Sequence, residues 1–201
     1  MDFDRTIAAL EKNGYRVTCF ATAEDAARYL EGGITGKSVG FGDSDTLRRM
    51  GLFERLAARN RVVDPQHCAA GKSFTDTARE CLTTEVFLTS VNALAATGEL
   101  VNIDGTGNRL AGSLFGHQKV YFVVGANKIA PTLEAAVWRA RNVAAPRNAA
   151  RLGLRTPCAR RGDRCYDCAS PDRICNGMLI HFKKMNDIDM EVVLIDEELG
   201  F

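Results

Sequence analysis

The stretch that most restricts the fold is Lys119–Gly125, KVYFVVG. Val120, Phe122 and Val124 would point to one side of a strand there, and Tyr121 and Val123 to the other. A strand with one wet face alternates apolar with polar residues, so a run without alternation must be covered on both faces, as in parallel sheets flanked by helices. Strand-like runs recur at 15–20, 37–42, 61–64, 85–90, 98–104, 178–182 and 190–196. Helical patterns lie between them. Phe3, Ile7 and Leu10 share a face that Asn13-Gly14 would end, and Thr22 can cap a helix over 23–33. Further helices are predicted over 46–60, 75–82 and 131–144 (with Pro131 in the first turn), and a short one over 91–98. The alternation predicts an α/β fold, a three-layer sandwich around a mainly parallel sheet of about five or more strands. The chain reads as a single domain over 1–201, with one shift in composition at 155–177, taken as an insertion before the last strands.

With 201 residues, 46% hydrophobic content and 25% charged residues, the chain can build an ordinary core. A net charge of +1 argues against general attraction to nucleic acid or to acidic membranes. The arginine-rich tract from Arg139 to Arg164 is offset by acids elsewhere. The N-terminus is charged and amphipathic rather than a signal sequence, and no run reaches membrane-spanning length. A cytoplasmic protein with reduced thiols is the expectation.

Several strands run into small polar or glycine-rich loops: Gly42-Asp43-Ser44, Ser90 and Asn92, Asn102 through Asp104-Gly105-Thr106-Gly107-Asn108-Arg109, and Gly125 with Asn127 and Lys128. In open α/β sheets such loops gather at the carboxyl ends of the strands, where ligands bind. Helix N-termini there favour phosphate or carboxylate, so a small anionic ligand is expected, with Lys128 and Arg109 supplying charge. Asp104 and Lys128 are the candidate catalytic residues, with Glu99 a further acid or base. The third glycine of a dinucleotide fingerprint is missing after Gly105-Thr106-Gly107, and Gly71-Lys72-Ser73 lacks the first glycine of a phosphate loop. His117 could reach the crevice, His181 reads as packed in its strand, and Cys19 and Cys81 read as small core residues.

Four of the seven cysteines, Cys158, Cys165, Cys168 and Cys175, fall in a C-x6-C-x2-C-x6-C array near the C-terminal end. Pro157 and Pro171 stiffen this loop and Gly162 and Gly177 permit sharp turns, while its interior is rich in Arg and Asp. Four soft donors in a polar loop point to a metal centre. Structural zinc commonly uses two close cysteine pairs and only Cys165/Cys168 is one, so a 4Fe–4S cluster is the expected occupant and Zn2+ the alternative. The flanking arginines should help to hold the thiols deprotonated.

Taken together, LVNIDGTGNRLAGSLFG, VYFVVGANKI, WRARNVAAPRNAARL and the TPC…C-x2-C…DRICN loop resemble the lactate-utilisation (LUD) domain family, from about Val39 to the C-terminus. The matching positions include Asn102, Asp104 to Arg109, Gly125, Asn127, Lys128, Arg139, Asn148 and the four loop cysteines. The resemblance implies a fold similar to the sugar-phosphate isomerase and coenzyme A transferase superfamily. It also implies a link to lactate utilisation, with iron–sulfur redox proteins as partners. If the crevice is catalytic, redox or lyase/isomerase chemistry on a small organic acid is expected. The other reading is a non-catalytic binding or regulatory module with a structural zinc loop. A homo-oligomer is compatible with either.

Overall fold

The computed structural model describes residues 3–201. In chain order the elements are α1 (Asp4–Lys12), β1 (Arg16–Phe20), α2 (Ala23–Gly33), β2 (Ser38–Phe41), α3 (Asp45–Arg49), α4 (Leu52–Ala57), β3 (Arg61–Val63) and α5 (Phe74–Cys81). Then come β4 (Val86–Thr89), β5 (Ala93–Ala95), β6 (Leu100–Asp104), α6 (Asn108–Gly112), β7 (Lys119–Gly125), a 3-10 turn (Ala126–Lys128) and β8 (Ile129–Ala130). The last part holds α7 (Leu133–Arg139), a π-helical turn (Ala140–Ala144), α8 (Ala145–Arg151), α9 (Pro157–Arg161), β9 (Gly177–His181) and β10 (Asp189–Ile195).

Six strands form the main sheet in the order β1-β10-β7-β4-β2-β3, and every neighbouring pair is parallel. Its centre is the run that opened the sequence analysis. Val120, Phe122 and Val124 pack with Met190, Val192 and Leu194 on one face, against α1 and residues Leu94 and Leu100. Tyr121 and Val123 pack with Val193 and Ile195 on the other, against α2, α3 and α4. An α/β fold with a mainly parallel sheet is therefore what the chain adopts.

A second sheet, β8-β5-β6-β9, lies over the first and was not announced by the sequence. The segment 91–98 was expected to be helical, but Ala93–Ala95 is a strand antiparallel to β6. A segment as short as 91–98 is marginal as a helix on its own, whereas pairing buries Ala93, Leu94 and Ala95 completely. Gly98, at φ +98°, closes the hairpin. β9 also joins this sheet, antiparallel to β6, so only β10 of the last two strands enters the main sheet.

The helices depart from expectation at two glycine- or proline-bearing points. The predicted 46–60 helix breaks at Gly51, φ +62°. Pro131 precedes the helix it was to begin: Thr132 is the cap, its hydroxyl accepting from the Ala135 N–H at 3.3 Å. That helix also continues past 144, through the π-helical turn into α8. Pro146 explains the turn, because proline lacks an N–H and crowds the carbonyl four residues back, and a widened turn relieves both problems.

A buried carboxylate ties the amino-terminal part of the main sheet together. Fully buried Glu191 on β10 accepts from Thr18 Oγ1 at 3.0 Å, Tyr29 Oη at 2.7 Å and Lys119 Nζ at 2.8 Å. Losing Glu191 would leave Lys119 with only the more exposed Asp189 at 3.3 Å, and Thr18 and Tyr29 without their acceptor, at a cost of about 3 kcal/mol. Glu191→Ala should therefore lower the urea midpoint by that equivalent with an unchanged m-value.

Candidate functional site

The order of the main sheet creates a switch point. From β2 the chain moves outward to β3, whereas from β4 it moves inward to β7 and β10, so connections leave the neighbours β2 and β4 in opposite directions. The carboxyl ends of such strands frame a crevice. Lys128 lies at its base, in the 3-10 turn after β7, and is only 3% exposed.

Its Nζ donates to Thr46 Oγ1 at 2.8 Å and to Ser90 Oγ at 2.9 Å. Both hydroxyls have already committed their own hydrogens, Thr46 to the Leu199 carbonyl at 3.4 Å and Ser90 to the Val123 carbonyl at 2.6 Å. They can only accept from the lysine. Among the described residues no carboxylate pairs with Lys128, and Asp45 is occupied by Arg48 and Arg49 at 2.5 and 2.7 Å. Burial, followed by the positive charges of Arg139 and Arg109, lowers the Lys128 pKa to about 7, with Asp45 pulling weakly the other way.

Two adjoining recesses of about 240 and 30 Å³ make up the crevice, and Asp43, Asn92, Arg109 and Asn148 line both. Gly105, Thr106 and Asn108 line the larger, and Ser44, Ser90 and Lys128 the smaller. Most of the predicted loops thus meet in one place. Asp43 sits at φ +51°, a strained position for a residue with a side chain, and Gln66 Nε2 donates to its carboxylate. Arg109 gives one N–H to the Ile103 carbonyl at 2.6 Å, while its buried Nε has no hydrogen-bond partner.

Asp104 shapes its own loop. Its Oδ1 accepts from the Thr106 N–H at 3.1 Å and its Oδ2 from the Arg109 N–H at 3.0 Å. Oδ2 also lies 4.0 Å from Arg109 Nε. Asn102 is fully buried behind the crevice, where its Oδ1 accepts from the Asn92 N–H at 3.2 Å.

Gly42, Gly125, Gly107 and Asn127 do not line the crevice either. A Cβ on Gly42 would meet Thr89 Oγ1 at 2.8 Å, and one on Gly125 would meet the Glu197 carbonyl at 2.8 Å, so close packing requires these two glycines. Gly107 provides the left-handed φ of +91° before α6. Asn127 Oδ1 accepts from the Leu199 N–H at 3.1 Å and anchors the tail. Glu99 precedes β6, at the opposite end from Asp104, and accepts from Thr97 Oγ1 at 2.5 Å. His117 lies at the amino-terminal edge of the sheet, its Nδ1 2.6 Å from the Thr84 carbonyl and its ring stacked on Phe87. His181 is fully buried, with Nε2 3.2 Å from the Ser113 carbonyl. Cys81 is buried, but Cys19 is exposed on an edge strand and is no core residue.

Sequence reasoning missed Thr46, Arg151, Ile174 and Phe201 as lining residues. Thr46 lies just beyond the Gly42-Asp43-Ser44 loop that was singled out. Phe201 arrives by a fold-back of the C-terminal tail, with the Arg49 guanidinium 5.5 Å from its ring centroid, and no local pattern signals that.

The thiol loop backs onto the same crevice. Cys165 and Cys175 line a third cavity, of about 320 Å³, with Arg141, Asp167 and Arg173. Ile103 lines both this cavity and the larger recess. Ile174 lines that recess too, and the Asn176 N–H donates to the Asp104 carbonyl at 3.0 Å. Burial pushes the Cys175 thiol up; Arg173 counters this, while Cys165 and Cys168 add to it. Arg173 thus helps the thiolate as expected, but burial outweighs it at Cys175. Cys158, on α9, lies 3.2 Å from Thr156 Oγ1. Among the described residues no three Cys, His, Asp or Glu side chains already stand as a metal ligand group. Four soft thiols on one loop suit a cluster by the chemistry of the donors.

A buried amine without a counter-charge destabilises the fold, which gives a prediction with a definite sign. The cost is full below the folded-state pKa of about 7 and is relieved as pH rises from there toward the unfolded value of about 10.4. Lys128→Met should raise stability by on the order of 2 kcal/mol at or below neutral pH. The gain measured by urea denaturation should shrink in alkaline buffer.

The LUD domain model matches residues 3–195. Comparison with curated proteins finds no match. A crystal structure of a DUF162 family protein from Deinococcus radiodurans is similar in fold, with a TM-score of 0.51 at 13% identity, covering 97% of this chain and 99% of that one. No helix among the described residues is long and apolar enough to cross a membrane. By its sequence match over nearly the whole length, the chain belongs to the LUD-domain family.

Proposed function

We propose that this LUD-domain protein binds a small anionic organic acid or phosphate ester in the crevice. The observation that carries the reading is Lys128: a buried amine, surrounded by other cations and paired with no carboxylate among the described residues. An anion entering the crevice would supply the missing counter-charge, with Arg109 lending its positive charge from the crevice wall and Lys128 its third donor. Asn92 and Asn148 would fix the ligand's orientation, and Asp104 would hold the loop that presents Arg109. The family's link to lactate utilisation makes short hydroxy acids the first ligands to try.

We further propose that Cys165, Cys168 and Cys175, joined by Cys158, hold an iron–sulfur cluster. When bound, such a cluster supplies electron transfer or a structural staple. Zinc on the same thiols is the alternative. Because both oxygens of Asp104 are committed to backbone N–H groups, a non-catalytic binding or regulatory module is the second reading.

Isothermal titration with lactate and with glycerol 3-phosphate tests the crevice. Binding should weaken as pH rises through about 7, where Lys128 loses its proton. Arg109→Gln should reduce affinity by roughly tenfold or more. Binding of neither compound, or binding indifferent to both changes, would refute the reading. For the loop, anaerobically purified protein should contain iron and sulfide that Cys168→Ser removes without unfolding the sheet. Stoichiometric zinc instead would select the alternative, and neither metal would refute a metal loop.

A further inference from the structure

We propose that Lys128 is a nucleophilic amine that forms a Schiff base with a small carbonyl compound bearing a carboxylate or phosphate group. This deepens the anion-binding reading above and rests on it. The hydrogen count at Nζ favours the neutral amine. Thr46 and Ser90 both accept from Nζ, because their own hydrogens are committed to the carbonyls of Leu199 and Val123. A neutral amine has two hydrogens and one lone pair, so the two hydroxyls use both hydrogens and leave the lone pair undirected toward either of them. An ammonium in that place would keep a third N–H with no acceptor among the described residues. The arrangement satisfies the neutral amine completely, and its lowered pKa agrees with this.

The other paired lysines differ. Lys37, Lys72 and Lys119 each hold a carboxylate at 2.8 Å or less, and Lys184 donates to the carbonyls of Met185 and Ile188. Protonated lysines do not attack carbonyl carbons, whereas desolvated ones beside another cation do. The space also suits a carbonyl. The inner recess of about 30 Å³ holds little more than one small group, while the anionic remainder can lie in the outer one beside Arg109.

The step balances without an added oxidant or reductant. The Nζ lone pair forms a C–N bond as the carbonyl π pair moves to oxygen, and a nitrogen-bound proton passes to that oxygen. The hydroxyl then leaves as water, taking the remaining nitrogen-bound proton while the nitrogen lone pair forms the C=N bond. The products are an imine and one water.

Reductive trapping tests the proposal on the intact chain. The protein is incubated with pyruvate or dihydroxyacetone phosphate, treated with borohydride, digested and mapped by mass spectrometry. Lactate and glycerol 3-phosphate, which carry the same anions without the carbonyl, serve as controls. A secondary-amine adduct is expected on Lys128, at least tenfold above any other lysine, and on no lysine with the controls. The carboxylate and phosphate arms show which anion the site takes. Prior incubation with lactate or glycerol 3-phosphate should suppress the adduct. Absence of an adduct from both carbonyl compounds, with lactate or glycerol 3-phosphate still binding by titration, would overturn the Schiff base and leave the anion site intact. Failure of titration and trapping together would overturn both. Because wild-type protein carries the decisive result, Lys128→Met is needed only to confirm the mapped position.

Discussion

A primary amine held in the interior without a negative partner governs the arrangement of this site. Desolvation of a charge is expensive, and proteins avoid it by pairing, by neutralisation or by leaving the group in water. Here Lys128 has two hydroxyl acceptors and, among the described residues, no carboxylate, while Arg139 and Arg109 push its pKa further down. The surrounding structure enforces the position. Ser90 is fixed by Val123 of the central strand, Thr46 by the C-terminal tail, and Arg139 by donation to the carbonyls of Asn127 and Asn92. The parallel sheet supplies the rigid edge on which these loops meet.

The same geometry places the thiol loop directly behind the crevice. Ile103 separates the two cavities, and Gly105 lies so close to Ile174 that a Cβ there would meet the Ile174 Cα at 3.0 Å. Asn176 reinforces the contact by donating from its side chain to the Gly105 carbonyl at 3.1 Å. On the far side, Asn142 in the π-helical turn accepts from the Cys165 N–H at 3.3 Å, while Asn148 on the next helix reaches the crevice. One wall of the ligand crevice is therefore continuous with the loop that carries the cysteines.

How much of this was legible follows from the range of each signal. The central sheet was, because a strand covered on both faces leaves its mark in seven consecutive residues, Lys119–Gly125. The meeting of the Asp43, Ser90 and Lys128 loops was legible too, since strands in a parallel sheet end on one edge; the Asp104 loop joins them from β6 of the second sheet. The second sheet was not: β5 is three residues of small apolar side chains, and only pairing with β6 and β8 distinguishes it from a helical fragment. Gly42 and Gly125 looked like ligand-binding glycines, yet tight packing against Thr89 and the tail explains them. Phe201 enters the site through the C-terminal fold-back, a long-range contact with no local sequence mark.

The state of the Lys128 amine is the point on which this account turns, and it can be read directly. A heteronuclear NMR titration of the lysine side chains, following the Cε and Nζ resonances through neutral pH with Lys128→Met to assign the signal, measures its pKa in the folded protein. One lysine should titrate near 7, well apart from the others. A Lys128 signal that stays protonated until the ordinary lysine range near about 10.4 would contradict the account.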